Sequence, residues 1–249
     1  MAAAPATLQL AGHVGAFAKL DGGRIRKLVK KEEAAFYKGL ADRHLDAAIT
    51  PYIPKFFELQ EHDGKQYIVI EDITASSAKP TLMDMKMGTS SVDPLTDPEK
   101  RAAMDAKDKK TTTCSLGMRV CGVNIQNIAN GTAFKEGKPW GKAITAEKMP
   151  GTIEQFFNDG ISVRADVAKY FLEHVKNILA WWEKQSVFSL YSSSLLFVYD
   201  ASVRDSVKAE LRIIDFAHVI DIKDGSHDEG MIFGLKNLVK HLEALIAAH

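Results

Sequence analysis

The chain has 249 residues, 46% of them hydrophobic and 26% charged, a composition that excludes disordered, collagenous and fibrous proteins. Lys plus Arg and Asp plus Glu each total 32, so no overall field would recruit nucleic acid or an anionic membrane. No apolar run reaches the roughly 18 residues of a membrane span, and the N-terminus lacks the basic and apolar regions of a signal peptide. Two cysteines, Cys114 and Cys121, form no disulfide framework and predict a reducing compartment, cytoplasmic or nuclear.

The first part of the chain, residues 1–74, predicts a small α/β unit. Alternation at Arg24–Val29 is typical of a strand, and a helical stretch covers residues 30–40. Asp63-Gly64 predicts a tight turn before a short apolar run. The composition then turns small and polar over residues 75–80, which marks the boundary with the rest of the chain.

The remaining residues, 75–249, predict a larger unit. Its charged stretch from Asp93 to Lys110 has little apolar content and indicates a solvated helix or an inserted flap. Apolar residues recur every three or four positions along a helix from Ala165 to Lys184. The last elements expected, in chain order, are two strands and a closing helix: Ser194–Tyr199, Leu211–Ile214 and Phe233–Ala247.

The chain carries no P-loop, nucleophile elbow, zinc-spaced Cys/His set or His-Arg-Asp kinase loop. Its first candidate catalytic residues are Asp84 and Lys86. If the segment Pro80–Gly88 is extended, its alternation places both side chains on one face, and Gly88 lets the backbone approach a ligand closely. Taken alone, such a pair is more often a surface ion pair followed by a turn glycine.

A second candidate is Asp215, which directly follows an apolar strand and precedes Phe216. Such a carboxylate stands where α/β folds expose metal-binding groups, and an Asp-Phe pair holds magnesium in protein kinases. Taken alone, the pair more often simply ends a strand. The serine cluster Tyr191–Ser194 indicates a turn into the next strand.

Together these segments resemble the inositol polyphosphate kinase family. Its Pro-x-x-x-Asp-x-Lys-x-Gly signature matches Pro80–Gly88 at every fixed position, its Ser-Leu-Leu matches Ser194–Leu196, and its Ile-Asp-Phe-Ala-His matches Ile214–His218. The resemblance covers nearly the whole chain in the right order. Further matches are Ala11-Gly12-His13, Lys27 with Glu33-x-x-Phe36-Tyr37, Thr111–Thr113 with Leu116-Gly117-x-Arg119, Phe156–Gly160, and Ile232–Leu238.

The resemblance implies an α/β (α+β) fold with two protein-kinase-like lobes and nucleotide between them. The N-lobe would comprise residues 1–74 with a hinge near 71–73. The C-lobe would comprise residues 75–249 with an inositol-phosphate-binding insert at about 92–112. The implied activity is phosphorylation of inositol polyphosphates with ATP and Mg²⁺, by a monomer that has no nucleic-acid partner and no stable membrane insertion.

The family pattern also implies a nucleotide site. Lys27 would hold the nucleotide phosphates, and backbone groups of Glu71 and Ile73 would contact the adenine edge. Asp215 would bind magnesium, with Ser194 as a helper, because a hard cation prefers carboxylate and phosphate oxygens.

The reacting groups follow from the same resemblance. Asp84 has two roles that the sequence leaves open: a hydrogen bond to the ribose hydroxyls, or acceptance of the proton from the attacking inositol hydroxyl. Lys86 would offset charge on the phosphoryl group. His218 and the insert lysines Lys100 and Lys107, two helical turns apart, would bind the substrate.

Within the family, the sequence favours the multikinase branch, which would convert inositol tris- and tetrakisphosphates toward the pentakisphosphate. The alternative is an inositol hexakisphosphate kinase that makes pyrophosphates, and a second alternative is an inactive inositol-phosphate-binding scaffold. Ala103 and Met104 stand where the animal multikinase has glutamine-type residues, which leaves substrate preference open. The multikinase-like features are the segment Ile178–Trp181, the strand Leu195–Tyr199 and the two insert lysines; the hexakisphosphate-kinase-like features are Lys86–Thr89 and Val120–Gly122.

Overall fold

The computed structural model describes residues 16–40 and 45–249. A four-stranded antiparallel sheet, in the order β1-β2-β4-β3, forms the N-terminal lobe. One helix packs on it. The elements are β1 (Phe17–Leu20), β2 (Arg24–Val29), α1 (Lys31–Lys38), β3 (Phe56–His62) and β4 (Lys65–Glu71), with a 3-10 helix at Thr50–Tyr52. The predicted Ala11–His13 match lies outside the described residues.

The turn between β3 and β4 is the one that the sequence predicts. Asp63 and Gly64 both have positive φ angles, 50° and 66°, which is the conformation that a two-residue hairpin requires. The turn pairs His62 with Lys65 and sets the register of the whole hairpin. It thereby fixes where β4 ends at Glu71, next to the crossing into the second lobe.

A five-stranded antiparallel sheet, in the order β10-β9-β5-β6-β7, forms the second lobe. A small pair, β8 with β11, lies beside it. The strands are β5 (Pro80–Met87), β6 (Met118–Asn127), β7 (Thr132–Glu136), β8 (Phe188–Leu190), β9 (Ser194–Asp200), β10 (Ala209–Ile214) and β11 (Val219–Asp221).

The helices of the second lobe form two groups, one packed against this sheet and one in the insert. Helices α5, α6 and α7 contact one another and the strands β5, β6 and β10, while α2 and α3 lie between β5 and β6 in sequence. The helices are α2 (Pro98–Asp108), α3 (Thr112–Leu116), α4 (Lys138–Ala143), α5 (Met149–Phe157), α6 (Ala165–Trp182) and α7 (Glu229–Ala248). None of the helices in the described ranges is both long and apolar enough to cross a membrane.

The apolar stripe of α6 packs into the core as its spacing predicts. Val167, Phe171, Val175, Ile178 and Trp182 are each at most 1% exposed, so the face repeated every three or four residues is the buried one. Burying side chains of this size contributes roughly 1.5–3 kcal/mol each. The amphipathic pattern therefore accounts for the position of α6 against the sheet.

Element ends differ from the predicted ones by a few residues. α7 begins at Glu229, four residues before the expected start, because the Asp228 carboxylate caps it and accepts from the Met231 N–H at 3.0 Å. β10 begins two residues early because Ala209 still pairs with Tyr199 of β9. The predicted two-lobed α+β architecture is confirmed, while the division at residue 74 stays a prediction.

Candidate active site

Three strand ends meet at one edge of the second sheet. Lys86 near the end of β5 lies opposite Ser194 at the start of β9, and Ser194 lies opposite Ile214 at the end of β10. Asp84 stands two residues before Lys86 on the same strand, and Asp215 directly follows Ile214. Side chains two apart on a strand share a face. The fold thus brings together four residues that the sequence singled out, Asp84, Lys86, Ser194 and Asp215.

Lys27 reaches this edge from the first sheet. Its Nζ donates to Asp215 Oδ1 at 2.6 Å and to Glu33 Oε1 at 2.7 Å. The Lys27 and Glu33 side chains are 12% and 6% exposed. Burial alone would lower the pKa of Lys27, but the carboxylates of Asp215 and Glu33 hold it above its ordinary value. Lys27 is therefore a fixed cation between the lobes.

Glu33 is a site residue to which sequence reasoning gave no role. It lies in the first turn of α1 and is buried. Burial raises its pKa, and the charge of Lys27 opposes that rise. Its carboxylate also accepts from the Phe216 N–H at 3.4 Å. The sequence did contain a sign of this role, because Glu33 matches the family pattern that follows Lys27.

The backbone at Asp215 adopts an unusual conformation. Its φ is 67°, in the left-handed region that non-glycine residues rarely occupy. The Ser193 hydroxyl donates to the Asp215 carbonyl at 2.8 Å, and the Phe216 ring stacks on Phe36 of α1 with 4.1 Å between centroids. Contacts on both sides thus hold a strained residue in place, which is typical of functional sites.

The two carboxylates at this edge have opposite pKa shifts. Burial would raise the pKa of Asp215, but the adjacent Lys27 charge holds it below the ordinary value. Burial, and then the negative charge of Asp215, raise the pKa of Asp84 to about 6, while the Ser194 hydroxyl and the charges of Lys86 and Lys138 oppose that rise. Two neighbouring carboxylates whose pKa values differ in this way often have different catalytic roles.

Asp84 also has an unused hydrogen-bonding atom. The residue is 6% exposed, and its Oδ1 is buried without a hydrogen-bond partner in the described part of the chain. A buried acceptor without a partner is uncommon in folded proteins. A ligand donor that reached this atom would supply the missing hydrogen bond.

Two further cations approach this edge, and sequence reasoning assigned a role to neither. Lys138, the first residue of α4, acts electrostatically on both Asp84 and Asp215. Arg119 of β6 lies directly opposite Lys86, and its Nε is buried without a partner among the described residues. No spacing in the sequence pointed to Lys138, whereas Arg119 was visible in the matched Leu-Gly-x-Arg motif.

The predicted hinge lies where the chain leaves β4. Glu71 is the last residue of that strand, and its carboxylate accepts from Arg212 Nε at 2.6 Å. Asp72 follows and donates its N–H to the Gly23 carbonyl at 2.8 Å. Ile73, half-buried, begins the connection to the second lobe. Gly88 has φ 95° and donates its N–H to the Gly117 carbonyl at 2.8 Å; its close approach to a ligand stays a prediction.

The insert carries its two predicted lysines on one exposed helix. Asp97 caps α2 and accepts from the N–H groups of Glu99 and Lys100 at 3.0 and 3.3 Å. Lys100 and Lys107 are both exposed. Within the described ranges neither forms a salt bridge, so both charges are available to a ligand.

The base of the insert is fastened to the strand ends. The buried Asp108 carboxylate accepts from the N–H and the hydroxyl of Ser91. His218 Nδ1 lies 2.6 Å from Asp93 Oδ2. Burial would raise the pKa of Asp93, but hydrogen bonds with His218, the Leu95 N–H and the Thr96 hydroxyl together hold it below the ordinary value. His218, three residues after Asp215, is thus tied to the insert.

The comparisons with known proteins agree with this geometry. Residues 67–243 match the model of the family described as "Inositol polyphosphate kinase". The chain therefore belongs to the inositol polyphosphate kinase family, and the family predicted from the motifs is confirmed.

Curated relatives from two branches resemble the chain to a similar degree. It is 27% identical to inositol hexakisphosphate kinase 3 of Mus musculus, over 78% of this chain and 53% of that protein. It is 28% identical to the Homo sapiens inositol polyphosphate multikinase, over 80% of this chain and 51% of that protein. The chain thus spans about half the length of these relatives. It is also 28% identical to the Oryza sativa multikinase IPK2, over 98% of this chain and 94% of that protein.

Solved structures resemble the chain over most of its length. The inositol phosphate multikinase Ipk2 of S. cerevisiae, in complex with ADP and Mn²⁺, superimposes with a TM-score of 0.78. Its sequence identity is 26%, with 90% of this chain and 99% of that chain covered. A second inositol phosphate multikinase structure has a TM-score of 0.75 at 23% identity and supports the fold alone.

Proposed function

We propose that this protein is an ATP-dependent kinase that phosphorylates inositol polyphosphates. The observation that carries the proposal is the ion pair Lys27–Asp215, which joins the lobes beside Asp84, whose Oδ1 has no partner in the described part of the chain. Family membership and a structural relative in complex with ADP and Mn²⁺ support the same activity.

Lys27 would hold the nucleotide phosphates in this proposal. It is a buried cation whose charge two carboxylates maintain, and Glu33 fixes its direction. The backbone of Glu71 and Ile73 would contact the adenine edge. Their position at the crossing between the lobes supports this assignment, because a nucleotide bound between the sheets passes this connection.

The donor set suits magnesium. In the described part of the chain no three acidic, His or Cys side chains lie close enough to hold a metal by themselves. Asp215, 46% exposed at its side chain, would bind the ion together with nucleotide phosphate oxygens, and Ser194 is the proposed helper. Oxygen donors of this kind are those that magnesium prefers. When bound, the ion would neutralise charge that develops on the phosphoryl group.

Asp84 would either accept a proton from the acceptor hydroxyl or bind the ribose of the nucleotide. Its pKa of about 6 leaves it largely ionised at neutral pH, so the Oδ1 atom can accept a proton from an attacking hydroxyl. The other candidate role is a hydrogen bond to the ribose hydroxyls. Asp84→Asn distinguishes them: loss of kcat at constant KM for ATP supports the base, and a raised KM for ATP at constant kcat supports the ribose contact.

The cations around Asp84 would stabilise the transferring group. Lys86 lies opposite Arg119 across the β5–β6 pair, and Lys138 acts on both carboxylates. A loose phosphoryl transition state spreads negative charge over its oxygens, and fixed cations stabilise such charge without reorganisation.

Substrate phosphates would bind to Lys100 and Lys107 of α2 and to His218. The lysines are exposed and free of salt bridges within the described ranges. Asp93 holds one nitrogen of His218, which leaves Nε2 as the nitrogen that can contact a phosphate or hydroxyl.

The proposed reaction is the multikinase one, on inositol tris- and tetrakisphosphates. The alternative reaction is that of a hexakisphosphate kinase. The apolar residues Ala103 and Met104 between the insert lysines support this alternative, because a less polar insert selects less strongly among substrates. We also propose that the protein acts as a monomer in the cytoplasm or the nucleus.

A panel of inositol phosphates with ATP and magnesium tests the function. Purified protein should release ADP only when magnesium and an inositol phosphate are both present, and Asp215→Ala should abolish the release. Binding of inositol phosphates without any turnover would instead support the inactive scaffold. Values of kcat/KM for the trisphosphate and the hexakisphosphate, measured side by side, decide between the two kinase activities.

A further inference from the structure

We infer that Arg212 is a positioning residue whose ion pair with Glu71 sets the angle between the two lobes and thereby the affinity for nucleotide. The inference rests on the proposed function, since it concerns the same cleft. It assigns to the Glu71 side chain a role separate from that of its backbone.

Arg212 stands on the face of the sheet that also carries Asp84. It lies opposite Leu196 of β9, and Leu196 lies opposite Asp84 of β5. Residues directly opposite across antiparallel strands have side chains on the same face. The Arg212 side chain therefore projects on the side of the cleft, from the second lobe toward the first.

The guanidinium of Arg212 joins three groups. Its Nε donates to Glu71 Oε1 at 2.6 Å, and its Nη1 donates to the Leu211 carbonyl at 3.0 Å. Nη1 also lies 2.8 Å from Glu210 Oε2. The Arg212 and Glu71 side chains are 17% and 26% exposed, so this pair is better shielded from solvent than an ordinary surface pair.

The pair bridges the lobes beside a cavity. A cavity of about 800 Å³ adjoins the pair, and its wall includes Glu71, Arg212, Tyr37 and Phe56. Aromatic stacking of Phe36 on Phe216 joins the lobes elsewhere. Beside the cavity, the Arg212–Glu71 contact is a charged link between the two lobes.

The Lys27–Asp215 ion pair also joins the lobes, at a different position. Lys27 and Asp215 are the groups to which nucleotide phosphates and metal would bind, so a ligand competes with their mutual contact. Arg212 and Glu71 take no part in that binding through their side chains. Their contact can persist while ligand enters, and it can hold the lobes near the binding-competent angle.

The several N–H donors of a guanidinium explain why position 212 is an arginine. Arg212 donates to Glu71 through Nε and to its own strand through Nη1 at the same time, which anchors the donor on β10. A lysine ammonium is a point charge and cannot reproduce that fork. Arg212→Lys should therefore keep the charge and lose part of the orientation.

The test measures binding of ADP with magnesium to the full chain by calorimetry. Glu71→Gln should weaken the binding about five- to tenfold, because apparent affinity falls with the fraction of molecules at the competent angle. Arg212→Lys should give a smaller loss of the same kind. The control is Glu210→Gln, which removes the other ionic partner of Arg212 without touching the first lobe and should leave affinity within about twofold.

A second measurement does not depend on nucleotide. Spin labels at Lys65→Cys in β4 and Lys240→Cys in α7, both exposed positions, report the distance between the lobes when Cys114 is replaced by Ser. Glu71→Gln should broaden the distance distribution in the ligand-free protein, and Glu210→Gln should leave it unchanged.

The two measurements separate the possible failures. If the unmodified protein does not bind ADP with magnesium, the proposed function is wrong, and the label distances alone judge the inference. If Glu71→Gln leaves both affinity and distances unchanged, or if Glu210→Gln alters them equally, the inference is overturned.

Discussion

The Lys27 ammonium lies 2.6 Å from the Asp215 carboxylate, although 188 positions separate the two residues in the sequence. One comes from the second strand of the first sheet, and the other follows the end of β10 in the second sheet. This contact brings the nucleotide-phosphate candidate and the metal candidate into one site between the lobes.

Removing the Asp215 charge should abolish turnover while leaving the fold intact. Asp215→Asn loses a charge and an acceptor oxygen at the proposed metal site, so kcat should fall at least about 100-fold. ADP release and thermal melting of the same preparation measure both effects. The matched control is Asp224→Asn, an exposed residue further along the chain. Near-normal turnover in Asp215→Asn would contradict the assignment.

Asp84 should make the folded protein lose stability as pH rises. Its folded pKa of about 6 lies above the ordinary 3.8, so its protonation favours the folded state at low pH. That contribution is full below the ordinary pKa and is lost as pH rises through about 6, with a total of roughly 2–3 kcal/mol.

Asp84→Asn removes this pH dependence. Denaturant unfolding of both proteins at about pH 5 and about pH 8 should show that the variant gains stability relative to the unmodified protein at the higher pH. A constant difference between the two proteins over this range would refute the raised pKa.

Glu33 should affect the binding of the nucleotide rather than that of the inositol phosphate acceptor. Glu33→Gln leaves Lys27 with one carboxylate partner, so its ammonium loses a fixed direction, and KM for ATP should rise about tenfold. Glu32→Gln is the matched control, because Glu32 lies beside it in the same first turn of α1 but is exposed. Equal effects of the two substitutions would show that Glu33 acts only through the helix.

The insert lysines should govern affinity for the inositol phosphate. Lys100→Gln or Lys107→Gln should raise KM for that substrate several-fold, and the loss should shrink as added salt screens the charges. Lys169→Gln, exposed on α6, should change nothing. A collapse of kcat at unchanged KM would show that these lysines act in the chemical step instead.

Local elements and motifs could be read from the amino-acid sequence alone. The stripe of α6 predicted its buried face, Asp63-Gly64 predicted the hairpin, and the Asp84–Lys86 and Asp215 motifs predicted which side chains to examine. These signals are local, because a periodicity or a turn depends on residues within a few positions of one another. The family could be identified at this level.

Which distant residues meet in the site became known from the folded structure. The contacts of Glu33 with Lys27 and of Arg212 with Glu71 depend on strand register and on how the lobes pack. The same holds for the charge of Lys138 near the two carboxylates and for the position of Arg119 opposite Lys86. The free oxygen and raised pKa of Asp84 likewise come from burial by distant segments. A single sequence carries no local pattern for such contacts, because their energy comes from groups that the chain brings together only on folding.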